Sequence, residues 1–397
     1  SNMIYATLGS IKKVVDKLKE MGIRNVLIDE AHAGYSPEDG SEFMTFMNEL
    51  KPKKVIGFTA TPCRLKNMSI GQTSYSQLNF ITRMRPVYFK DLIHVIQVEE
   101  MIRQGFWTPL KYETWDFNGD ALKLNSNGSE YTAESISEAV RKNGLNNLIL
   151  RRLMVLKDVC RSILVFMDSV ESCNTAAEWM NAKICAGMAE VVHGGTPKKQ
   201  REAIVERFKS GKTKVVFNYS ALGTGFDHPG LDCVIVGRPT FSFSSFYQWL
   251  GRAVRIKDGK DSALIVDCCN NSSRFGDIRK LSIENYKGYG WGMFIGDKLI
   301  TNIPMGDKVT KTDLDIKAAK KDRRRGLAQG VTAAPVPGRP DHPLGSTLMT
   351  FGKYCGWMLH SIPVSYFKFI NETFDWSNGR NKEIKEYIDF LIKNNRL

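Results

Sequence analysis

The sequence predicts an α/β protein with two parallel-sheet domains, the first incomplete, followed by a small α-rich or α+β domain at the C-terminus. Three observations carry this. Short apolar runs alternate with helical patterns between residues 25 and 58 and again between 162 and 266, as expected of strands covered on both faces of a parallel sheet. Pro335, Pro337, Gly338, Pro340 and Pro343 fall within nine residues and read as an extended connector. Beyond that connector, residues 346–397 are dense in aromatic side chains.

In the first block, residues 1–109, strands are expected at Asn25–Ile28 and Lys54–Phe58, with a helix at Glu42–Leu50 between them. That is half of a parallel α/β domain, so either another segment supplies the remaining strands or this half presents an unusually exposed sheet edge. Gly105 and Pro109 break the pattern. In the second block, residues 110–275, strands are expected at Ser162–Met167, Ala189–His193, Lys214–Asn218, Cys233–Val236 and Ser262–Val266. Helices are expected between them at Cys173–Asn181, Pro197–Phe208 and Phe246–Arg255. Residues 276–345 hold a β-like piece at Gly292–Ile303, turning at Gly296-Asp297-Lys298, and then the basic run Lys317, Lys320, Lys321, Arg323, Arg324, Arg325.

A chain of 397 residues has room for two or three domains with cores of their own. Its net charge of +14 favours a polyanionic partner. The eight cysteines, at positions 63, 160, 173, 185, 233, 268, 269 and 355, include no Cys-x-x-Cys pair. This argues against a zinc ribbon and against disulfides, and fits a reducing, cytoplasmic setting in which thiols act as small buried apolar groups. No stretch approaches the roughly 18 apolar residues that cross a bilayer, so no membrane partner is expected. Ser1-Asn2 reads as a remnant of tag cleavage rather than a natural start.

The chemistry concentrates in a few stretches. Asp29-Glu30-Ala31-His32 follows the apolar run Val26-Leu27-Ile28. A strand that ends in two acids suits magnesium and water chemistry, because Asp29 can hold the metal's water shell while Glu30 polarises an attacking water. An isolated acid pair more often just solvates a loop. Here the next strand runs into Thr59-Ala60-Thr61-Pro62, whose hydroxyls can bond the acids or the neighbouring backbone. No Gly-x-x-x-x-Gly-Lys-Ser/Thr cradle is present: Gly211-Lys212-Thr213 has its closing residues, but Glu206 stands where the first glycine belongs. A helical pattern precedes that triplet and a strand follows it, so it reads as a helix-ending turn.

In Gln248-Trp249-Leu250-Gly251-Arg252-Ala253-Val254-Arg255, two arginines stand three apart on an expected helical face, a spacing that lets both reach one phosphate group. Upstream, Ala221–Pro229 follows the strand Lys214–Asn218. Gly223 and Gly225 allow close backbone approach to a ligand, and Asp227 can accept bonds from a ribose hydroxyl or hold Arg252 in place.

These stretches resemble motifs II, III, V and VI of superfamily 2 helicases, the first as a DEAH-type box. Over residues 4–275 the chain resembles the RadD-type DNA repair helicases and the related restriction-enzyme motor subunits. Asn218–Pro229, Gly237-Arg238-Pro239-Thr240, Gln248–Arg255 and Ala263–Asp267 followed by Asn270 carry that likeness. The resemblance implies two RecA-like domains, with ATP and Mg2+ as cofactors. Asp29 and Glu30 would hold magnesium through water, with Glu30 also the general base, and His32, Thr59 and Thr61 would link the nucleotide cleft to the nucleic-acid track. Gly225 would meet the nucleotide, Asp227 would touch the ribose or position Arg252, and Gln248, Arg252 and Arg255 would read the γ-phosphate. Ala6–Ile11 corresponds to motif Ib, with Thr7 near the nucleic-acid backbone. Ser169, His193-Gly194 and Asn218 fall where the family contacts phosphates, although a structural role is equally open for each.

The chain departs from RadD in lacking a cysteine-rich zinc module, so that family's partner contacts are not carried over. Tyr247-Gln248 replaces the His-Arg opening of motif VI in RNA-type DEAD-box proteins, which favours the repair and restriction branch. Phe351–Trp357 and Ile362–Phe367 resemble the small C-terminal domain of exodeoxyribonuclease X. Lysines beside aromatics there would suit single-strand stacking, with Lys353, Lys368, Arg380, Lys382 and Lys385 at the surface. Tyr354, Trp357, Tyr366, Phe367, Phe374 and Trp376 also read as the core of a very small domain.

The expected function is that of an ATP-dependent DNA helicase or translocase acting in repair, recombination or phage replication, in a bacterial or phage-infected cytoplasm. Its partners would be single-stranded or branched DNA and repair or replication proteins. An RNA helicase and a non-catalytic nucleic-acid-binding module are the alternatives. Without the phosphate cradle, these residues are expected to be an N-terminally truncated form lacking ATPase activity.

Overall fold

The computed structural model describes residues 3–32, 41–70, 73–222, 226–318, 344, 347, 349–350, 354, 359, 362, 364–373, 376 and 381–394. The chain divides into two compact units, one of residues 1–286 with 290–310, the other of residues 287–289 with 311–397. Strands β1 (Asn25–Ile28) and β2 (Lys54–Gly57) pair in parallel, Val26 opposite Val55 and Ile28 opposite Gly57. The helix Glu42–Leu50 connects them. The Ser41 hydroxyl caps it by accepting from the Met44 amide at 3.2 Å, and Phe43, Phe46, Met47 and Leu50 turn inward.

Among the described residues no third strand joins β1 and β2. The edge is correspondingly bare, with Leu27 and Phe58 each 54% exposed. A long antiparallel hairpin follows, β3 (Cys63–Ile70) and β4 (Thr73–Phe80), in register from Cys63 opposite Phe80 to Ile70 opposite Thr73. The sequence analysis did not anticipate it, because one strand reads Asn67-Met68-Ser69-Ile70 and the other Thr73-Ser74-Tyr75-Ser76, with too few apolar residues to mark an inner face. Among its described residues, burial is confined to the base, at Cys63, Leu78, Asn79 and Phe80.

The second sheet contains β5 (Leu110–Thr114), β6 (Ile163–Phe166), β7 (Ala189–His193), β8 (Val215–Tyr219), β9 (Cys233–Val236) and β10 (Ala263–Asp267), all parallel in the order β5-β10-β9-β6-β8-β7. Strand alternation splits its apolar residues between two cores. Leu164, Phe166, Val216, Val234, Val236 and Ile265 face the core that also contains Phe208, Phe246 and Leu250. Ile163, Val165, Val215, Phe217, Ile235 and Val266 face the core built on Ile149, Leu153, Leu156, Ala176 and Met180. The sheet is thus the α/β, RecA-like arrangement that the sequence predicts, with β5 as a sixth strand the periodicity did not mark. Six of the cysteines lie buried within the unit, while Cys185 is exposed.

The order of strands reverses between β6 and β9. In such sheets the crevice outside the carboxyl ends at this point accepts ligands. Gly237 lies there, where an added Cβ would stand 2.5 Å from Ile149 Cδ1 and 3.0 Å from the Phe166 carbonyl oxygen. Gly211, at φ +77°, ends the helix Lys198–Lys209 and turns the chain into β8, so the Gly-Lys-Thr triplet is the helix-ending turn expected.

After β10 the chain builds a four-stranded antiparallel sheet from β11 (Leu281–Tyr286), β12 (Gly290–Ile295), β13 (Lys298–Leu299) and β14 (Val309–Thr310). Its loops return to the hairpin: the Asn302 amide donates to the Leu78 carbonyl at 2.7 Å, and the Phe80 amide donates to Asn302 Oδ1 at 3.0 Å. In the second unit, helices Val364–Thr373 and Lys382–Lys393 bury Phe367, Ile370, Ile384, Tyr387, Ile388 and Leu391. Tyr354, Tyr366 and Trp376 pack at the margin of this core, and Trp357 and Phe374 lie outside the described residues. Lys385 is engaged with Asp389 and Asn371, whereas Lys368 and Lys382 are exposed. Lys353 and Arg380 lie outside the described residues.

Phe217 is wholly buried on β8, between β6 and β7. Phe217→Ala is expected to lower stability by about 3–5 kcal/mol in a urea titration; a loss under about 1 kcal/mol would contradict the packing described.

Candidate active site

The β1–β2 ladder continues past the strands, because the Phe58 amide donates to the Ile28 carbonyl and the Ala31 amide to the Phe58 carbonyl, both at 2.8 Å. Asp29 and Glu30 form the turn between these bonds. Glu30 takes a left-handed conformation, φ +48°, and its amide donates to Asp29 Oδ1 at 2.9 Å. For a residue other than glycine this conformation costs on the order of 1 kcal/mol or more, so it persists only where its surroundings impose it. Gly57 allows the turn to lie close, since a Cβ there would stand 2.6 Å from Ala31 Cβ.

The Glu30 Oε2 oxygen is buried, 3.3 Å from His32 Nδ1 but without a hydrogen bond. His32 Nδ1 lies 2.7 Å from Thr59 Oγ1, and that oxygen accepts the Thr61 amide at 3.1 Å. The Asp-Glu-Ala-His and Thr-Ala-Thr stretches are therefore joined through His32, a direct link between the end of β1 and the end of β2. Thr61 is fully buried and its hydroxyl has no hydrogen-bond partner. Burial and the adjacent Asp29 charge raise the Glu30 carboxyl above the usual carboxylate range, with Arg252 opposing them. Burial, assisted by the Arg64 cation, lowers the His32 imidazole below its ordinary value.

The opposite wall comes from the helix Phe243–Leu250, capped by Ser242 and anchored by Phe243, Phe246, Tyr247 and Leu250. Trp249 stacks on Phe166, with centroids 4.9 Å apart. This helix ends at Leu250, not at Arg255 as the periodicity suggested. Beyond it the Arg252 and Ala253 amides make tight bonds to the Trp249 and Leu250 carbonyls, and the Val254 carbonyl is taken by the Thr108 amide at 2.8 Å, which draws the chain out of the helix. Arg252 and Arg255 thus project from a turn and an extended segment rather than from one helical face.

Arg252 is oriented by the carbonyls of Phe226, which accepts from Nη1 at 2.6 Å, and Gln248, which accepts from Nε at 3.1 Å. Asp227 instead pairs with Arg255, Oδ1 to Nε at 3.4 Å. The expectation that Asp227 holds Arg252 is corrected accordingly: the Phe226 carbonyl does this, and the next residue's carboxylate reaches the other arginine.

A cleft of about 690 Å³ lies between the walls, lined by Glu30 and Thr59 on one side and Gln248, Arg252 and Arg255 on the other, with Phe58, Ile93 and Ile96 among its apolar residues. Burial and Arg255 weaken the Arg252 cation, while Glu30 and Asp227 favour it. Asp29 adjoins this lining without being part of it, His32 and Thr61 stand behind it, and Gly225 lies outside the described residues. Two neighbouring carboxylates, one with an unpartnered buried oxygen, opposite two guanidiniums form a donor set that fits a hydrated divalent cation and a nucleotide phosphate.

Ser169, Asn218 and His193 occur at the carboxyl ends of the neighbouring strands β6, β8 and β7. Ser169 caps the helix Val170–Lys183 by accepting the Ser172 amide at 3.0 Å. Asn218 is buried. Its Oδ1 accepts from the Ala221 and Leu222 amides, and its Nδ2 has no hydrogen-bond partner. His193 Nδ1 accepts the Gly195 amide at 3.1 Å, in the exposed turn that includes Gly194. Thr7 lies elsewhere, before the short helix Leu8–Ile11, with its hydroxyl 3.0 Å from that of Ser10. Sequence reasoning assigned no site role to Thr108, Arg238 or Lys260. Arg238 lies over the Tyr219 ring at 5.4 Å, and the other two bond the carbonyls around Arg255.

Residues 145–257 match the model of the helicase conserved C-terminal domain. The chain is 24% identical over 277 residues to the ATP-dependent helicase IRC3 of Saccharomyces cerevisiae, covering 69% of this chain and 38% of that protein. It is 25% identical over 262 residues to a 51.5 kDa protein of a Lactococcus phage, covering 66% and 52%. The chain therefore spans about two fifths to half the length of these curated relatives. Among solved structures, the DNA-bound ATP-dependent type ISP restriction-modification enzyme LlaBIII overlays with a TM-score of 0.45 at 13% identity, over 80% of this chain and 21% of that one. The sequence matches show a likeness to ATP-dependent helicases, with the family match confined to residues 145–257.

His32 provides a check on the site. Its lowered value means that the unfolded chain takes up a proton before the folded one does, so stability should fall as the pH drops below about 6.5. A nitrogen-15 titration of the His32 ring is expected to show a midpoint below 6.5, and a midpoint above it would refute the burial and linkage described.

Proposed function

We propose that this chain carries the water-activating wall and the arginine wall of an ATP-driven superfamily 2 motor. It would act on single-stranded or branched DNA in repair, recombination or phage replication. The observation behind this reading is the cleft that sets Glu30 opposite Arg252, close enough for each to influence the other's charge. In this reading Asp29 and Glu30 would hold magnesium through water, and Glu30, with its raised carboxyl, would accept a proton from the attacking water. Arg252 and Arg255 would balance charge on the γ-phosphate, an effect worth about 10³- to 10⁵-fold in rate for a well-placed arginine.

Gln248 and Asp227 would complete the nucleotide side, and His32, Thr59 and Thr61 would transmit its state. Thr7, Ser169, His193, Gly194 and Asn218 would meet the nucleic-acid backbone. When bound, Mg·ATP supplies the phosphoryl group and its charge-neutralising cation. Residues 1–109 and 110–275 would be the two motor lobes, 276–345 an extension and linker, and 346–397 an auxiliary nucleic-acid domain, all in a reducing cytoplasm. The Tyr247-Gln248 opening favours DNA over RNA.

Hydrolysis is the first test. The 397 residues include no Gly-x-x-x-x-Gly-Lys-Ser/Thr, so on their own they are expected to turn over no ATP, with or without DNA. A chain in which that cradle is present should hydrolyse ATP with DNA stimulation, and Glu30→Gln should cut its kcat by about 10² or more. Turnover by the 397 residues alone would defeat the argument from the missing cradle, and an unaffected Glu30→Gln would remove Glu30 from the role of base.

Binding is the second test. Fluorescence anisotropy with a single-stranded DNA oligonucleotide should show affinity falling linearly on a log–log plot of salt concentration, by orders of magnitude between about 50 and 200 mM. A flat response would mean that the positive charge serves another purpose, and stimulation of hydrolysis by RNA alone would reassign the substrate.

A further inference from the structure

Helix Phe243–Leu250 ends before either cleft arginine, so hydrogen bonds to the segment 252–255 must fix their directions. One side chain supplies two of these bonds and a third to a neighbouring loop. The Lys260 ammonium donates to the carbonyls of Ala253 and Arg255, each at 2.7 Å, and to that of Pro229 at 3.2 Å. An ammonium has three N–H donors, and here each has an acceptor. The loop reverses to bring Lys260 back, with Gly259 at φ +72° and the Lys260 amide bonded to the Lys257 carbonyl at 3.0 Å.

We propose that Lys260 is a positioning residue for the arginine pair. Its ammonium fastens the segment bearing Arg252 and Arg255 to the loop bearing Asp227, and so holds both guanidiniums at the cleft. The role assigned to the arginines rests on the nucleotide reading above; the fastening itself does not. Two neighbouring contacts complete the frame. Asp227, two residues before Pro229, pairs with Arg255, and the Phe226 carbonyl takes Arg252. Thr108 Oγ1 adds a second donor to the Arg255 carbonyl at 2.8 Å. Misplacing a reacting group by about 1 Å costs on the order of 10²-fold in rate, which is why a residue that touches no phosphate can govern the arginines.

The fastening responds to pH. Burial, with Lys257 nearby, lowers the Lys260 ammonium to about 8, against the favourable charge of Asp232. His228, the remaining titratable neighbour, is lowered to about 4 by burial and by Lys257, Lys209 and Lys260, and is neutral across this range. As the pH rises through about 8, Lys260 loses a proton and one carbonyl loses its donor.

Carbon-detected spectra of arginine side chains in the 397-residue chain test this without nucleotide, with Arg255 assigned through Arg255→Lys. The Arg255 Nε–Cζ signal is expected to stand apart from that of free arginine at pH 7 and to move toward it with a midpoint near 8. Lys260→Met should place the signal near the free position at pH 7 and abolish the titration, while Lys260→Arg should keep the signal apart and remove the midpoint near 8. An Arg255 signal unchanged in Lys260→Met, even if melting occurs at a lower temperature, would reduce Lys260 to a merely structural residue and overturn the proposal. If Lys260→Met does not fold, the wild-type titration and Lys260→Arg decide: no midpoint near 8, or one that survives the arginine, overturns it. Failure of the nucleotide reading appears separately, in the hydrolysis experiment, and leaves these spectra unaffected.

Discussion

A half-buried carboxylate and a half-buried guanidinium, Glu30 and Arg252, face one cleft without touching, and the rest of this unit serves to keep them there. Left free, opposite charges in a partly dry site would either collapse into an ion pair or turn back to water. Neither happens, because each is held by backbone. The β1–β2 ladder, continued through Phe58 and Ala31, sets the turn at Glu30, and the Phe226 and Gln248 carbonyls take the Arg252 donors. The space between therefore keeps two charged walls whose unused hydrogen-bonding capacity points to a third, charged occupant.

Much of this was legible in the sequence where burial is two-sided. β9 matches its expected limits residue for residue, because a continuous apolar run bounded by polar residues leaves one solution, and the edge strand β7 matches its limits too. β1 and the helix Glu42–Leu50 match as well. The hairpin β3–β4 and the strand β5 were not legible. The first is polar along most of its length, and the second reads Leu-Lys-Tyr-Glu-Thr, whose pairing with β10 is decided by a partner about 150 residues away.

The site shows the same division. Glu30, Thr59, Arg252 and Arg255, chosen for chemical type and spacing, and Gln248, implied by the family resemblance, all line one cleft. What spacing could not supply was the path of the backbone after Leu250. A three-residue interval looks helical on paper, yet a bond from the Thr108 amide, far away in sequence, straightens the segment. The same loss of the helix hides Lys260, an unremarkable lysine in a charged loop until its three carbonyl acceptors are seen together.

The antiparallel sheet after β10 adds a constraint that motif reading does not express. The chain leaves the arginine wall, forms β11 to β14, and returns to the elements that follow the acidic wall. Gln97 mimics a strand partner there, accepting the Ile283 amide at 3.0 Å and donating to its carbonyl at 2.8 Å. Asn302 and Met305 bond the backbone of β4. Among the described residues the two walls are joined through Thr108 beside Arg255, through this sheet beside the hairpin, and through Asn67 and Ser76 of the hairpin, which donate to the Asn127 and Gly128 carbonyls. Backbone-type bonds of this kind are each worth about 1 kcal/mol net and cost more when broken in a buried site. Separating the sheet from the hairpin would leave several of these groups unpaired at once.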